Sequence, residues 1–281
     1  MEHQEKVYVE AYTHLRRFSE RFYVGQQRSI LAIYQLGSRY AGYDIETSDY
    51  DYMVVYMPSP YDLIKPVIVH KLVAEVDGME LEIKFMSIAE YVHRIEEGDL
   101  EALQMLNAYD HQRVFCKDDL GVDTKQTRLV DYMKELEENR EAFTYLEPEK
   151  LFRGINGRIK ATYARMENSI SQGEAEKAVK CAVLVHYFMD VLKVLAYNDP
   201  IREGLVLGEF TAESYRYARD NIGTELSNQK LIGASNLMEV NRAVLLNMIE
   251  EYALPKSAVG RYKDQYLTGR LLDVLLGGYY G

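Results

Sequence analysis

Hydrophobic positions near the start of the chain recur at helical spacing and then give way to short strand-like runs. The positions at helical spacing predict an amphipathic helix; they are Tyr8, Ala11, Tyr12, Leu15, Phe18 and Phe22. Apolar runs rich in β-branched and aromatic residues follow at 28–36 and 49–56, and such runs are typical of strands. The chain is therefore predicted to begin with one helix and two strands.

A β-hairpin is predicted directly afterwards. Residues 67–76 form a third extended run that ends at Asp77-Gly78, and Asp-Gly is a strong turn signal because both central positions need positive φ. The returning segment, 79–85, alternates strictly, with apolar side chains on one face and Glu80, Glu82 and Lys84 on the other. The sequence thus predicts four strands.

Helical patterns dominate after residue 85. Ser87 and Glu90 have the spacing of a capping box, and Asp99 is placed to cap the next helix. Further helices are predicted over 131–150, with a hinge near Pro148, and over 151–169, 174–196, 214–222 and 237–252. The predicted fold class is α+β: a small mixed β-sheet domain with flanking helices at 1–115, followed by an all-helical domain at 116–281.

Composition narrows the class of protein further. The 281 residues include 33 Lys and Arg against 44 Asp and Glu, which gives a net charge of −11. An acidic surface repels phosphate backbones, so bulk nucleic-acid binding is not expected. The chain has no apolar run of membrane-spanning length and no apolar leader at its start, and its two cysteines are far apart. These features predict a cytoplasmic protein that has no membrane partner, disulfide framework or zinc–thiolate site.

Candidate chemistry is concentrated between residues 37 and 51. Gly37 and Ser38 follow the first predicted strand, and glycine lets a ligand approach while a serine hydroxyl can hold phosphate oxygens. Asp49 and Asp51 are two apart on a strand, so both carboxylates project from one face. Such oxygen ligands suit Mg²⁺ bound beside substrate phosphates. Glu82 is the candidate third carboxylate of the same cleft, and the pattern predicts two-metal phosphoryl or nucleotidyl transfer.

This combination resembles the DNA polymerase β-type nucleotidyltransferase superfamily. The signature there is Gly-Ser, a short loop, Ser-Asp-x-Asp and a distant third carboxylate, and it stands here as LGSRYAGYDIETSDYDYMVV. A weaker resemblance to a bacterial and phage branch of predicted nucleotidyltransferases extends over roughly residues 30–230. The resemblance implies a nucleotidyltransferase domain at 1–115 that moves NMP from an NTP to a hydroxyl acceptor and releases pyrophosphate, with two Mg²⁺ or Mn²⁺ ions.

The resemblance also implies roles for individual residues. Gly37 and Ser38 would contact the β- and γ-phosphates, Asp49 and Asp51 would bind both metals, and Glu82 would complete the metal on the nucleophile side. The chain departs from the family in two respects. The third carboxylate is commonly Asp, whereas Glu82 is the best-placed candidate here and Glu80 is the alternative, and the arginine usual shortly after the helix histidine is absent. A catalytically weakened nucleotide-binding or regulatory module is therefore the alternative function.

Three further cations are candidates for nucleotide binding. Arg39 either meets the triphosphate or forms a salt bridge with Asp44 or Glu46. Lys177 and Lys180 lie three residues apart on one helix face, where they either clamp the triphosphate or form a solvated surface. The acceptor stays open between a protein, a small molecule and tRNA. If it is RNA, the contact is expected at the basic segment 153–165 and at the Lys177–Lys180 face.

Overall fold

The computed structural model describes residues 3–20, 29–58, 71–108, 113–116, 124–196, 213, 216–217, 229, 232–233 and 266–276. The strands in these ranges are β1 (Ser29–Leu36), β2 (Tyr50–Met57), β3 (Leu72–Val76), β4 (Met79–Ser87) and β5 (Arg113–Cys116). The helices are α1 (His3–Glu20), α2 (Gly37–Ala41), α3 (Ile88–Glu96), α4 (Leu100–Leu106), α5 (Thr124–Glu138), α6 (Arg140–Thr144), α7 (Pro148–Ser171), α8 (Ala175–Ala196) and α9 (Tyr266–Leu276). The predicted α+β class is confirmed.

The described strands form one five-stranded mixed sheet in the order β3-β4-β2-β1-β5. β1 is antiparallel to both β2 and β5, β3 is antiparallel to β4, and β2 is parallel to β4. The hairpin turn predicted at Asp77-Gly78 joins β3 to β4, and both turn residues have positive φ. The parallel pair brings the beginnings of β2 and β4 to the same end of the sheet.

Each face of the sheet has its own hydrophobic core. On one face Val7, Ala11 and Leu15 of α1 are buried in a cluster with sheet residues such as Val54 and Ile83. On the opposite face Met53, Val55 and Met86 share a cluster with residues from α3 to α9. The division into domains at residue 115 stays a prediction. None of the helices in the described part of the chain is long and apolar enough to cross a membrane.

Two helix starts after β4 have the predicted caps. Ser87 Oγ accepts a hydrogen bond from the Glu90 backbone N–H at 3.1 Å, and Asp99 Oδ1 accepts one from the Ala102 N–H at 3.1 Å. The Glu90 carboxylate also accepts a hydrogen bond from Arg94 at 2.6 Å, one helical turn further on. These caps begin α3 and α4, and Glu101 of α4 lies 3.7 Å from Lys84 on β4.

Several secondary-structure predictions differ from the structure, and others concern residues outside the described ranges. The fifth strand, β5, was missed because four residues are too few to display alternation, and its pairing with the edge of β1 provides its hydrogen bonds. The helix predicted over 131–150 is instead three helices, since α5 ends at Glu138, α6 is a separate turn, and Pro148 begins α7. Helices predicted at 214–222 and 237–252 lie almost wholly outside the described residues, as does residue 22 of the first helical face.

The contact between Gly98 and the start of α7 gives a test of packing. Gly98 has φ +66°, and an added Cβ would lie 3.1 Å from the Leu151 backbone nitrogen. Gly78 has φ +80° but no atoms within 4 Å of such a Cβ. We expect Gly98→Ala to lower the free energy of unfolding by about 2–4 kcal/mol and Gly78→Ala by only about 1–2 kcal/mol, measured by urea denaturation. Equal losses would contradict the packing argument.

Candidate functional site

Asp51 and Glu82 are direct neighbours on the two parallel strands. Their Cα atoms are register partners between β2 and β4. Because side chains alternate along a strand, Asp51 lies on the same face as Met53 and Val55, which pack against the helices. The structure therefore brings together two of the predicted carboxylates, on the sheet face that carries the helical core. Asp49 lies just before β2, and its side chain is exposed.

Gly37 is required by the position of the Asp51 carboxylate. A Cβ added at Gly37 would lie 2.1 Å from Asp51 Oδ2 and 2.9 Å from its Cγ, and Gly37 has φ +67°. Any other residue would therefore collide with the carboxylate and also adopt an unfavourable backbone conformation. The sequence analysis predicted that glycine at position 37 lets a ligand come close to the backbone. In the structure the group that comes close to Gly37 is the carboxylate of Asp51.

Arg39 holds the loop that leads to Asp49. Its Nη2 donates to the Ser48 carbonyl at 2.8 Å, its Nη1 is 3.4 Å from Asp44 Oδ2, and its Cζ lies 3.9 Å from the centre of the Tyr50 ring. The Arg39 side chain is only 16% exposed. The alternative ion pair with Asp44 is therefore present, and this geometry makes Arg39 a positioning residue for the loop.

Glu82 is bound by two lysines. Lys71 Nζ lies 2.6 Å from Glu82 Oε2, and Lys84 Nζ lies 3.7 Å from Oε1. Lys84 also lies 3.7 Å from Glu101 Oε1 on α4. The hydrogen bond from Lys71 is the main reason why the pKa of Glu82 is lowered, and burial partly opposes it. Glu82 is therefore held as an ionised carboxylate.

The pKa of Asp51 is raised, in contrast to that of Glu82. Burial raises the pKa of its carboxyl group, Lys84 lowers it, and the negative charges of Glu82, Asp49 and Glu101 raise it further. Among the described residues none forms an ion pair with Asp51. A cation bound beside Asp51 would therefore relieve both the desolvation and the repulsion.

The carboxylates can be tested for their fit to a divalent cation. Hard oxygen donors suit Mg²⁺, which is usually held by one or two carboxylates together with substrate phosphates. Asp49 and Asp51 meet this requirement, whereas the oxygens of Glu82 face Lys71 and Lys84. Within the described ranges no group of three or more His, Cys, Asp or Glu side chains is arranged to hold a metal ion.

The helical part of the chain contacts α2 through tyrosines. Tyr40 Oη donates to the Gln104 carbonyl at 2.9 Å, and the Gln104 amide donates to Tyr187 Oη. The Tyr43 and Tyr187 rings have centroids 5.9 Å apart. Helix α8 is thus linked to Tyr43 directly and to Tyr40 of α2 by way of Gln104.

Lys177 and Lys180 lie near the beginning of α8, at exposed positions. Lys177 pairs with Glu174 at 2.7 Å and Lys180 with Glu176 at 3.2 Å. Lys180 is seven residues from Tyr187, which is about 10 Å along a helix. Both lysines therefore form ion pairs with glutamates of the helical region, and neither is seen in contact with the Gly37-Ser38 turn.

Sequence analysis missed Lys71, Lys84 and Glu101 as members of the site. Alternation along β4 already placed Lys84 on the Glu82 face, and the hairpin register brings Lys71 alongside the same strand. No sequence pattern placed Glu101 or Gln104 near the site, because their positions depend on how α4 packs on the sheet.

Comparison with known proteins gives a structural match at low sequence identity. No protein-family model matches the chain, and no curated protein sequence matches it significantly. Among solved structures it is similar to a nucleotidyltransferase-like protein from Exiguobacterium sibiricum 255-15, with 12% identity over 95% of this chain and 91% of that chain and a TM-score of 0.33. A similarity this low carries no argument about function. What the fold defines is an α+β protein with a mixed sheet and a helical C-terminal region.

The Gly37–Asp51 contact predicts strong coupling between the two positions. Gly37→Ala is expected to cost about 2–4 kcal/mol of unfolding free energy, from the collision and the positive φ together. In an Asp51→Ala background the same change should cost only the backbone part, about 1–2 kcal/mol. A double-mutant cycle by chemical denaturation measures this, and additive effects would show that the contact is not restrictive.

The raised pKa of Asp51 predicts a pH-dependent stability. Because the native state holds this proton to a higher pH than the unfolded chain, stability falls as the pH rises from about 4 through the raised value. Asp51→Asn should therefore melt at a higher temperature than the wild type at pH 7, and the difference should shrink towards pH 4. A lower melting temperature for Asp51→Asn at pH 7 would contradict this electrostatic reading.

Proposed function

We propose that the chain is a metal-dependent nucleotidyltransferase of the DNA polymerase β type, which moves NMP from an NTP to a hydroxyl acceptor. The observation that carries this proposal is the pairing of Asp51 with Glu82 on parallel strands, with the Asp51 carboxylate against Gly37 at the start of α2. The Gly-Ser turn and the acidic strand ends, which are separated in sequence, thereby meet at one end of the sheet. The motif resemblance supports the same assignment.

The proposed reaction is a single displacement at phosphorus. The acceptor hydroxyl oxygen bonds to the α-phosphorus, the bond from that phosphorus to the bridging oxygen of the β-phosphate breaks, and pyrophosphate leaves while the hydroxyl proton passes to solvent. A bound Mg²⁺ or Mn²⁺ would supply charge neutralisation at the phosphates. Asp49 and Asp51 would hold it, and the backbone and hydroxyl of the Gly37-Ser38 turn would contact the β- and γ-phosphates.

The remaining cations have different proposed roles. Arg39 would fix the loop before Asp49, because its guanidinium is already bound by Ser48, Asp44 and Tyr50. Lys177 and Lys180 are retained as candidate phosphate ligands, because both ammonium groups lie on the exposed surface of the helical region. The acceptor, whether protein, small molecule or tRNA, stays open.

A catalytically weakened nucleotide-binding module is the second candidate function. It is favoured by one contact, the 2.6 Å ion pair of Lys71 with Glu82, because an ammonium already neutralises the proposed third carboxylate. In that case the chain would bind NTP without releasing pyrophosphate.

Transfer of label from α-³²P-NTPs to lysate, tRNA and small-molecule acceptors tests the proposal. Asp49→Asn with Asp51→Asn should lower the rate at least about 100-fold, because the carboxylates that hold the cation lose their charge. Glu75→Gln, an exposed carboxylate on β3, is the matched control and should keep wild-type activity. Full activity of the double variant would refute the mechanism. Calorimetric NTP binding by the wild type without pyrophosphate release would instead select the second function.

A further inference from the structure

The lysines near the site lie closer to Glu82 than to Asp51. Lys71 Nζ lies 2.6 Å from Glu82 Oε2, and hydrogen bonds from an ammonium to a carboxylate are among the stronger ones in proteins. Lys84 is farther away, and its ammonium is shared between Glu82 and Glu101, at 3.7 Å from each. Lys71 is therefore the main cation on Glu82.

Asp51 has no such cation among the described residues, although it lies directly beside Glu82 in the strand register. The carboxylate of Asp51 fills the space over Gly37, where a side chain would collide with it. Lys84 lowers the pKa of Asp51 by its charge, but no described residue forms an ion pair with Asp51 or Asp49, so an ion bound there would not replace an existing ion pair. An ion that used Glu82 would have to displace or repel the ammonium of Lys71, because like charges a few ångströms apart repel strongly.

We propose that Lys71 provides at Glu82 the positive charge that a second divalent ion would otherwise supply, so that the site binds one divalent ion, at Asp49 and Asp51. This inference rests on the proposed function and replaces the two ions that the sequence resemblance implies with one. Lys71 neutralises Glu82 from within the chain, and the carboxylate pair is thereby balanced by one tethered ammonium and one exchangeable metal.

Lys71 is suited to this role by its position in the fold. It stands immediately before β3, whose antiparallel pairing with β4 places Val73 opposite Glu82. The lysine side chain is 58% exposed, so its replacement removes a charge and little buried surface. Lys71→Met should therefore fold, and its effect on metal binding can be separated from an effect on stability.

Electron paramagnetic resonance of bound Mn²⁺ tests the number of ions. Each protein is saturated with the α,β-methylene analogue of ATP and titrated with Mn²⁺, since two ions about 3.5–4 Å apart give a coupled spectrum and a single ion does not. The wild type should give the uncoupled spectrum of one ion. Lys71→Met should acquire a second, coupled ion that binds at least about tenfold more tightly than any second ion in the wild type.

Two variants serve as controls. Lys71→Arg keeps the positive charge and should keep the single-ion spectrum. Lys84→Met removes the more distant ammonium and should change the second-ion affinity much less than Lys71→Met. A coupled pair in the wild type, or an unchanged spectrum in Lys71→Met, would overturn the inference and leave the proposed function in place. A lack of protein-bound Mn²⁺ in all four proteins would count against the metal-dependent function itself.

Discussion

Parallel pairing of β2 with β4 is the constraint on which the candidate site depends. The side-chain period of a strand is two, so a shift of one residue would turn Glu82 to the opposite face. In the observed register the rows across the two strands run from Asp51 with Glu82, through Met53 with Lys84, to Val55 with Met86. The same face thus changes from a charged end to a buried core. The core under the helices fixes the register, and the register fixes the distance between the carboxylates.

A second constraint connects this pair to β1. The Asp51 carboxylate lies where a side chain at Gly37 would be, so the end of β1 and the start of β2 can adopt this arrangement only with glycine. The intervening loop is then closed by Arg39, whose guanidinium reaches back to the Ser48 carbonyl. Local backbone geometry and one partly buried guanidinium, that of Arg39, together determine where Asp49 enters the site.

Local signals in the sequence were sufficient for those parts of the fold that local physics determines. Alternation assigned the polar face of β4, and the caps at Ser87 and Asp99 were correctly placed because their hydrogen bonds span only three residues. The strand β5 depends instead on pairing with the distant strand β1, whereas the position of Lys71 follows from the register of the predicted hairpin. The juxtaposition of Asp51 with Glu82 was proposed only through a combination of motifs, since no property of either residue alone predicts that β2 and β4 are parallel neighbours. Roles in catalysis stay predictions.

Two adjacent carboxylates in one sheet are costly for stability, and the chain compensates them unequally. Glu82 receives ammonium groups from Lys71 and Lys84, whereas Asp51 is partly buried and faces further negative charge. A partly buried charge that no nearby side chain neutralises is typical of a binding site, because a ligand can supply the opposite charge. In a chain of net charge −11 the overall field also favours cations over free polyanions. Under the proposed function, an NTP would therefore reach this site most readily together with a divalent ion, which would neutralise part of its charge and supply a positive charge beside Asp51.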